Sequence, residues 1–258
     1  MYVCVCVCVN QLDFRFVHLY PDASSAPKLD GRAVASEIAK VFPRCKIDVR
    51  TPFFKDLYIE KIAELARISD TKQPFERQPS QKSNDGIVPL YDGFVLQRLL
   101  AARIPAAEGH ADHMHIILTN ILTCTFSEDD WRYHGRAVVC GTPSIISTTG
   151  IVEAPAKPKE FYLAQFGIHD VDSLKRQFAG RFIDYGDDDR ITLAAAGYAL
   201  QALFFFVTDG EPFCDNKDCR LFNAHWQEDL IRTQIEKPAL CGKHQSIANK
   251  VNRKIGTR

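Results

Sequence analysis

The sequence predicts an α/β (α+β) fold in which one β-sheet is flanked by three or four helices. The first observation is a strand, helix and strand pattern over 12–51, which favours an α/β sheet. The second is the apolar run "HMHIILTN" at 113–120, whose length is typical of a buried central strand. The third is a long apolar helix pattern over 191–207. We expect residues 1–258 to form a single domain.

Three segments make up the first strand, helix and strand. "LDFRFVHLY" at 12–20 is predicted to be a strand, "DGRAVASEIAKVF" at 30–42 has helical spacing before Pro43, and "CKIDVRT" alternates as a second strand. An earlier segment, "VCVCVCV" at 3–9, alternates with period two and predicts another strand, with metal binding by its thiolates as the alternative. Residues 70–87 are polar and aperiodic, which predicts a surface loop.

The later elements follow from periodicity and capping residues. We predict a helix at 91–105, the central strand at 113–120, one or two strands over 135–152 and a helix at 171–186. Aspartates in "GDDDR" are suited to cap a long helix that begins near Arg190. The apolar run at 191–207 is shorter than the roughly 20 residues needed to span a bilayer. Because it also contains Gln201, a buried helix is the better prediction.

Charge and cysteine content limit the classes of partner and the compartment. The chain has 32 basic and 32 acidic residues, so no net field attracts it to nucleic acid or to a membrane surface. Its start lacks the features of a signal peptide, which predicts a cytoplasmic protein with reduced thiols. Nine cysteines in a reducing compartment favour metal ligation over disulfides.

Four residues near the C-terminus have the spacing of zinc ligands. Cys214 and Cys219 form C-x4-C, and Cys241 and His244 form C-x2-H after a spacer of 21 residues. Two chelating pairs can converge on one tetrahedral ion, and four protein ligands leave no open position, so we expect one structural zinc per chain. It would define a zinc-binding subdomain at 209–258. His225 is an alternative fourth ligand, although "NAHWQEDLIRTQI" around it has helical periodicity.

This segment resembles the archaemetzincins, a branch of the metzincin zinc peptidases. Their signature is H-E-x-x-H-x-x-G-x3-C-x4-C-x-M, followed by C-x2-C, and placing it on Cys214 and Cys219 also aligns Gly210 with its glycine without a gap. Leu221 takes the methionine position, and His244 stands where the family has a cysteine. The resemblance extends more weakly upstream. It implies a metzincin-like twisted, mixed β-sheet flanked by helices, with a C-terminal structural zinc knuckle.

The resemblance also shows what this chain lacks. The positions of the zinc histidines and the catalytic glutamate hold side chains without metal-binding atoms, and no H-E-x-x-H occurs elsewhere in the sequence; these positions are Leu203, Phe204, Val207 and Phe213. A metzincin needs three histidines to hold zinc and the glutamate to activate its water. The resemblance therefore implies a catalytically inactive metallopeptidase homologue, with these side chains filling the former site as dry core and Phe213 closing it.

Such a protein is expected to bind a peptide or protein partner along the former cleft, where an edge strand within 137–149 could accept an extended segment.

One alternative is an active metal-dependent hydrolase with a relocated site at His110, His113 and His115, because His113 and His115 would share one face of a strand. Another is a zinc-knuckle nucleic-acid-binding protein that uses the basic segment at 243–258. That segment lacks interleaved aromatic residues, so we expect a solvated tail and no nucleic-acid partner.

Overall fold

The computed structural model describes residues 14–22, 26, 28–50, 59–68, 89–165, 171–185 and 188–255. The predicted strand at 3–9 and the predicted loop at 70–87 lie outside these residues. The described strands are β1 (Phe16–Pro21), β2 (Lys46–Val49), β3 (Tyr91–Asp92), β4 (His113–Thr119), β5 (Thr123–Ser127), β6 (Arg132–Arg136), β7 (Val138–Val139) and β8 (Ser144–Ser147). The described α-helices are α1 (Gly31–Val41), α2 (Ile59–Ala63), α3 (Gly93–Ala101), α4 (Thr148–Glu153), α5 (Lys159–Ala164), α6 (Val171–Gln177), α7 (Arg190–Val207), α8 (Gln227–Ile231) and α9 (Gly242–Ile255).

The main sheet has five strands in the order β2-β1-β4-β8-β7. Strands β2, β1, β4 and β8 are parallel, and β7 is antiparallel to β8, so the sheet is mixed. The predicted unit of strand, helix and strand is confirmed as β1, α1 and β2. Asp30 fixes the start of α1, since its side chain accepts hydrogen bonds from the backbone N–H groups of Arg32 and Ala33. The strand predicted at 113–120 is confirmed as the central strand β4.

A second, three-stranded sheet in the order β3-β5-β6 was not predicted from the sequence. Its strands are short and partly polar, so they give little periodic pattern. The helix predicted at 91–105 is α3, which starts later because Tyr91 and Asp92 pair with β5. The strand predicted through 152 is wrong beyond Ser147. The Ser147 hydroxyl accepts a hydrogen bond from the Gly150 N–H and so starts α4. The helix predicted at 171–186 is shorter, as α6.

Helix α7 is buried in the core of the fold, as predicted. Among the described helices it is the one long and apolar enough, by length and composition, to cross a membrane, yet most of it is buried inside the fold. It packs against α1 and the main sheet within one large core. Asp189 makes no capping hydrogen bond, whereas the Asp188 carboxylate accepts one from the Arg190 N–H.

The basic segment that follows Cys241 is not the solvated tail that the sequence predicted. It forms α9, whose buried residues are His244, Ala248 and Val251. Their spacing places them on one helix face, which packs on the same core as α7. The charged residues of α9 occupy the other faces. This amphipathic helix brings His244 to the end of α7.

Candidate metal centres and an adjoining groove

The four residues predicted to bind zinc come together in the structure. One ligand atom from each of Cys214, Cys219, Cys241 and His244 lies within 4.8 Å of all the others. The Cys214 and Cys241 Sγ atoms are 3.9 Å apart, and His244 Nδ1 lies 3.6 Å from Cys219 Sγ and 3.2 Å from Cys241 Sγ. Tetrahedral zinc would place two thiolates about 3.8 Å apart and a thiolate and an imidazole nitrogen about 3.6 Å apart. These four side chains therefore fit a zinc ion.

The local backbone explains why these residues meet. Helix α7 ends in a tight turn in which Asp209 and Gly210 have φ values of 54° and 92°, in the left-handed region that favours glycine. The Cys214 N–H then donates to the Leu221 carbonyl at 2.8 Å, which folds the C-x4-C segment back on itself. Cys241 immediately precedes α9, and His244 lies in its first turn. Each chelating pair thus lies in a compact local structure.

The electrostatic environment also suits metal ligation. Burial raises the pKa of the Cys219 thiol to about 12, so a cation is needed to hold this group as a thiolate. For Cys241, burial is outweighed by hydrogen bonds from the His244 N–H and the neighbouring thiols, which lower its pKa. Burial lowers the pKa of His244, which favours the neutral imidazole that ligation requires. His225, the alternative ligand, is exposed, precedes α8 and is not part of this cluster.

The positions that the resemblance assigns to a catalytic centre lie beside this cluster. Leu203 and Phe204 are fully buried. The Phe204 ring meets the His244 ring edge-on, with centroids 5.4 Å apart, and also contacts the Phe42 ring at 5.7 Å. Leu221, at the methionine position, is fully buried as well. The positions that the resemblance assigns to a catalytic histidine and glutamate, Leu203 and Phe204, therefore lie in closely packed apolar core.

The prediction that Phe213 closes the former site is wrong, because 41% of Phe213 is exposed. Val207 is 9% exposed, and both residues line an open groove of about 500 Å³. The turn at Asp209 and Gly210 directs the chain away from α7, which carries Phe213 out of the core. The closely packed apolar side chains of this region therefore end at Val207.

The groove lies between the end of α7, the loop that follows it and α9. Its apolar side chains are Val207, Phe213, Ile247 and Val251. Its basic side chains all come from α9 and are Lys243, Lys250, Arg253 and Lys254, while Asp209 and Glu211 lie on the loop. The edge strand predicted over 137–149 is reduced to the two residues of β7. Within the described part of the chain, no β7 residue lines this groove.

The predicted group of His110, His113 and His115 is assembled only in part. His113 and His115 do lie on one face of β4, with ring centroids 6.5 Å apart, but His110 is exposed on the preceding loop. The His115 ring is instead hydrogen bonded to the Tyr20 hydroxyl at 3.0 Å and to the Glu108 carbonyl at 3.2 Å. Burial lowers the pKa of His115 to about 4. These three histidines do not form a metal-ligand set.

A different set, which the sequence did not indicate, is formed by His18, Glu108 and His113. Ligand atoms of these three side chains lie within 4.8 Å of one another. Pairing of β1 with β4 places Phe16 opposite His113 and His18 opposite His115. Only a prediction of this strand pairing would have brought His18 into the group.

Comparison with known proteins gives two findings. A family model described as "Probable metallopeptidase family (DUF6775)" matches residues 13–251. The crystal structure of archaemetzincin from Methanopyrus kandleri is similar over 93% of this chain and 97% of that chain, with 11% sequence identity and a TM-score of 0.45. Comparison with curated proteins yields no significant match.

Proposed function

The chain belongs to the "Probable metallopeptidase family (DUF6775)", and from this premise we propose that it is a zinc-stabilised, catalytically inactive metallopeptidase homologue that binds a peptide. The observation that carries the proposal is the contrast between two adjacent places. The Cys214, Cys219, Cys241 and His244 cluster is assembled with zinc-like spacing. Beside it, the positions aligned with a catalytic histidine and glutamate hold the buried side chains of Leu203 and Phe204.

The zinc is proposed to be structural. Four protein ligands fill a tetrahedral shell, so no water can bind the ion and act as a nucleophile. The ion would fasten the loop after α7 to the start of α9. Phe204 packs against His244, so the cross-link would also hold this ligand against α7.

The proposed inactivity rests on the chemistry of α7. A metzincin-type reaction needs a metal-bound water and a carboxylate that accepts its proton. Neither Leu203 nor Val207 can bind a metal, and Phe204 cannot accept a proton. The fully buried Leu203 and Phe204 also leave no room for water or substrate at that point.

We therefore expect the purified protein to cleave no peptide by a chelator-sensitive route. The measurement is mass spectrometry of a mixture of unstructured peptides, incubated with the protein in the presence and absence of a zinc chelator. The His113→Ala variant is assayed in parallel. Chelator-sensitive cleavage that survives repurification would contradict the proposal, and its loss in His113→Ala would locate the activity on the main sheet.

The groove beside the zinc cluster is the proposed binding surface. Its apolar residues can accept one large apolar side chain, and the four basic residues of α9 provide positive charge along one wall. Charge complementarity favours an acidic partner. We therefore assign to the groove a peptide segment in which a bulky apolar residue is followed by acidic residues.

Reversing two charges on α9 is expected to weaken this binding. In the Lys250→Glu and Arg253→Glu double variant, both exposed basic side chains would repel the acidic part of the peptide, and we expect a loss in affinity of roughly tenfold or more. The measurement is fluorescence anisotropy with a peptide that contains one phenylalanine followed by glutamates, and with a lysine-containing counterpart.

Lys61→Glu is a matched control, since Lys61 is exposed on α2 and does not line the groove. It should leave the affinity unchanged. Equal affinity for the acidic and basic peptides would overturn the assignment. So would tighter, strongly salt-dependent binding of single-stranded nucleic acid to the same surface, because that result favours a nucleic-acid partner.

A further inference from the structure

We propose that His18, Glu108 and His113 form a second metal site, which binds a divalent transition-metal ion such as zinc on the side of the main sheet that faces away from α7. Side chains alternate along β1, and Val17 and Leu19 pack in the core that contains α7. His18 therefore points to the opposite side of the sheet. The site is separate from the cluster of Cys214, Cys219, Cys241 and His244.

The three side chains have the composition and the proximity of a metal-ligand set. Their ligand atoms lie within 4.8 Å of one another. His18 is 3% exposed, and Glu108 and His113 are half-buried. Two histidines and one glutamate are a ligand set found in zinc peptidases and in other enzymes with a transition metal. Partial burial removes competing water without closing the site.

His18 is already oriented for ligation. Its Nδ1 lies 2.7 Å from an Asp48 carboxylate oxygen, which can only accept, so Nδ1–H donates to Asp48 and Nε2 is the nitrogen available to a metal. The Asp48 carboxylate thus fixes both the tautomer and the ring orientation. Metal-binding histidines commonly have such a carboxylate partner on the second nitrogen. Nε2 points toward His113, at 2.8 Å from its Nδ1.

His113 has a carboxylate near its second nitrogen, although beyond hydrogen-bonding distance. Its Nε2 lies 3.9 Å from an Asp112 carboxylate oxygen. One of these two facing nitrogens carries the proton of the 2.8 Å hydrogen bond between the rings. When a metal binds, the His113 ring can carry its proton on Nε2, on the side of Asp112, which leaves Nδ1 as the ligand atom. Tetrahedral zinc would separate the two nitrogens to about 3.3 Å, so a small ring movement suffices.

Glu108 supplies the negatively charged ligand. Arg50 donates two hydrogen bonds to its carboxylate, at 2.6 and 2.9 Å, and a third to Asp48 at 3.0 Å. The hydrogen bonds from Arg50 lower the pKa of Glu108, which stays ionised. Each carboxylate oxygen keeps a second lone pair for a metal. Arg50 therefore holds Glu108 and Asp48 in fixed positions around the two histidines.

Three protein ligands leave one position of a tetrahedral ion open. That position would face a pocket of about 320 Å³, whose lining includes His18, His113, Glu108 and Lys46. A water molecule or an anionic group of a small ligand can enter there. This open position distinguishes the site from the closed cluster of three cysteines and one histidine.

Metal stoichiometry tests the proposal. Full-length protein is dialysed against zinc, and bound metal is counted by inductively coupled plasma mass spectrometry. We expect two zinc ions per chain in the unmodified protein, one in His113→Ala and one in Glu108→Gln. His110→Ala is the control, because His110 is exposed and outside the cluster, and it should keep both ions.

The two metal sites are distinguished by Cys219→Ser and by cobalt. Cys219→Ser should retain the ion on the sheet, and cobalt bound to this variant should lack most of the thiolate-to-metal absorption of the unmodified protein. One ion per chain in the unmodified protein, lost in Cys219→Ser, would overturn the second site and leave the structural zinc intact. Unchanged metal content in both His113→Ala and Glu108→Gln would also overturn it.

Discussion

Replacing Cys219 with serine is expected to release one zinc per chain and to lower the melting temperature by roughly 10 °C. A structural zinc contributes on the order of 10 kcal/mol of apparent binding free energy, so loss of a ligand should cost several kcal/mol of stability. Each kcal/mol corresponds to about 2–4 °C in a chain of this size. Cys219 is fully buried and adjoins His244, so a serine there also leaves a polar hydroxyl in a site built for a thiolate.

The control for this variant is Cys140→Ser. Cys140 is half-buried, follows β7 and is not part of either group of metal ligands. This substitution should keep both the zinc content and the melting temperature close to those of the unmodified protein. The measurements are metal analysis and thermal unfolding followed by circular dichroism. If Cys219→Ser retained its zinc and melted at the same temperature, the assignment of the structural zinc would be wrong.

The parts of the fold and site that were predicted correctly depend on short-range pattern. The apolar run of β4, the capped helix α1 and the buried helix α7 are each recognisable within one segment. The C-x4-C and C-x2-H pairs are equally local, since each pair lies on one turn. The contact between the two pairs is long-range. It was still predictable, because one tetrahedral zinc ion needs four ligands and each pair supplies two.

The parts that were missed depend on contacts between distant segments. His18 is a single histidine in an apolar strand, and Glu108 a single carboxylate in a short 3₁₀ turn. They approach His113 because β1 pairs with β4 in one particular register. Likewise, α9 is stable because its apolar face packs on the core, whereas its composition alone is that of a polar tail.

The exposure of Phe213 could not be predicted by alignment to the family signature. The signature places Leu203 and Val207 on one helix face, and helical geometry fixes their positions. Phe213 lies beyond the helix, where the left-handed turn at Asp209 and Gly210 sets the direction of the chain. The sequence does not specify that direction, so the prediction failed at this residue and held for Leu203.

Substituting the metal-binding and catalytic residues of a metzincin into this chain is expected to destabilise the protein only where the substituted side chain is buried. Leu203→His would bury an imidazole and Phe204→Glu a carboxyl group among apolar neighbours, and each unpaired polar group should cost roughly 2–7 kcal/mol. Phe204→Glu also removes the ring that packs against Phe42 and His244. Chemical denaturation of each single variant measures the free energy of unfolding.

Phe213→His is the matched control, because this side chain is 41% exposed and borders the open groove, where a histidine can reach water. It should change the free energy of unfolding by no more than about 1 kcal/mol, as is usual for partly exposed positions. A larger loss of unfolding free energy at the buried positions than at the exposed one would indicate a packed core and not a retained pocket. If Leu203→His were as stable as Phe213→His, water would have to reach position 203. The former catalytic position would then still be a cavity able to bind a ligand, and the proposed loss of the peptidase site by apolar packing would be wrong.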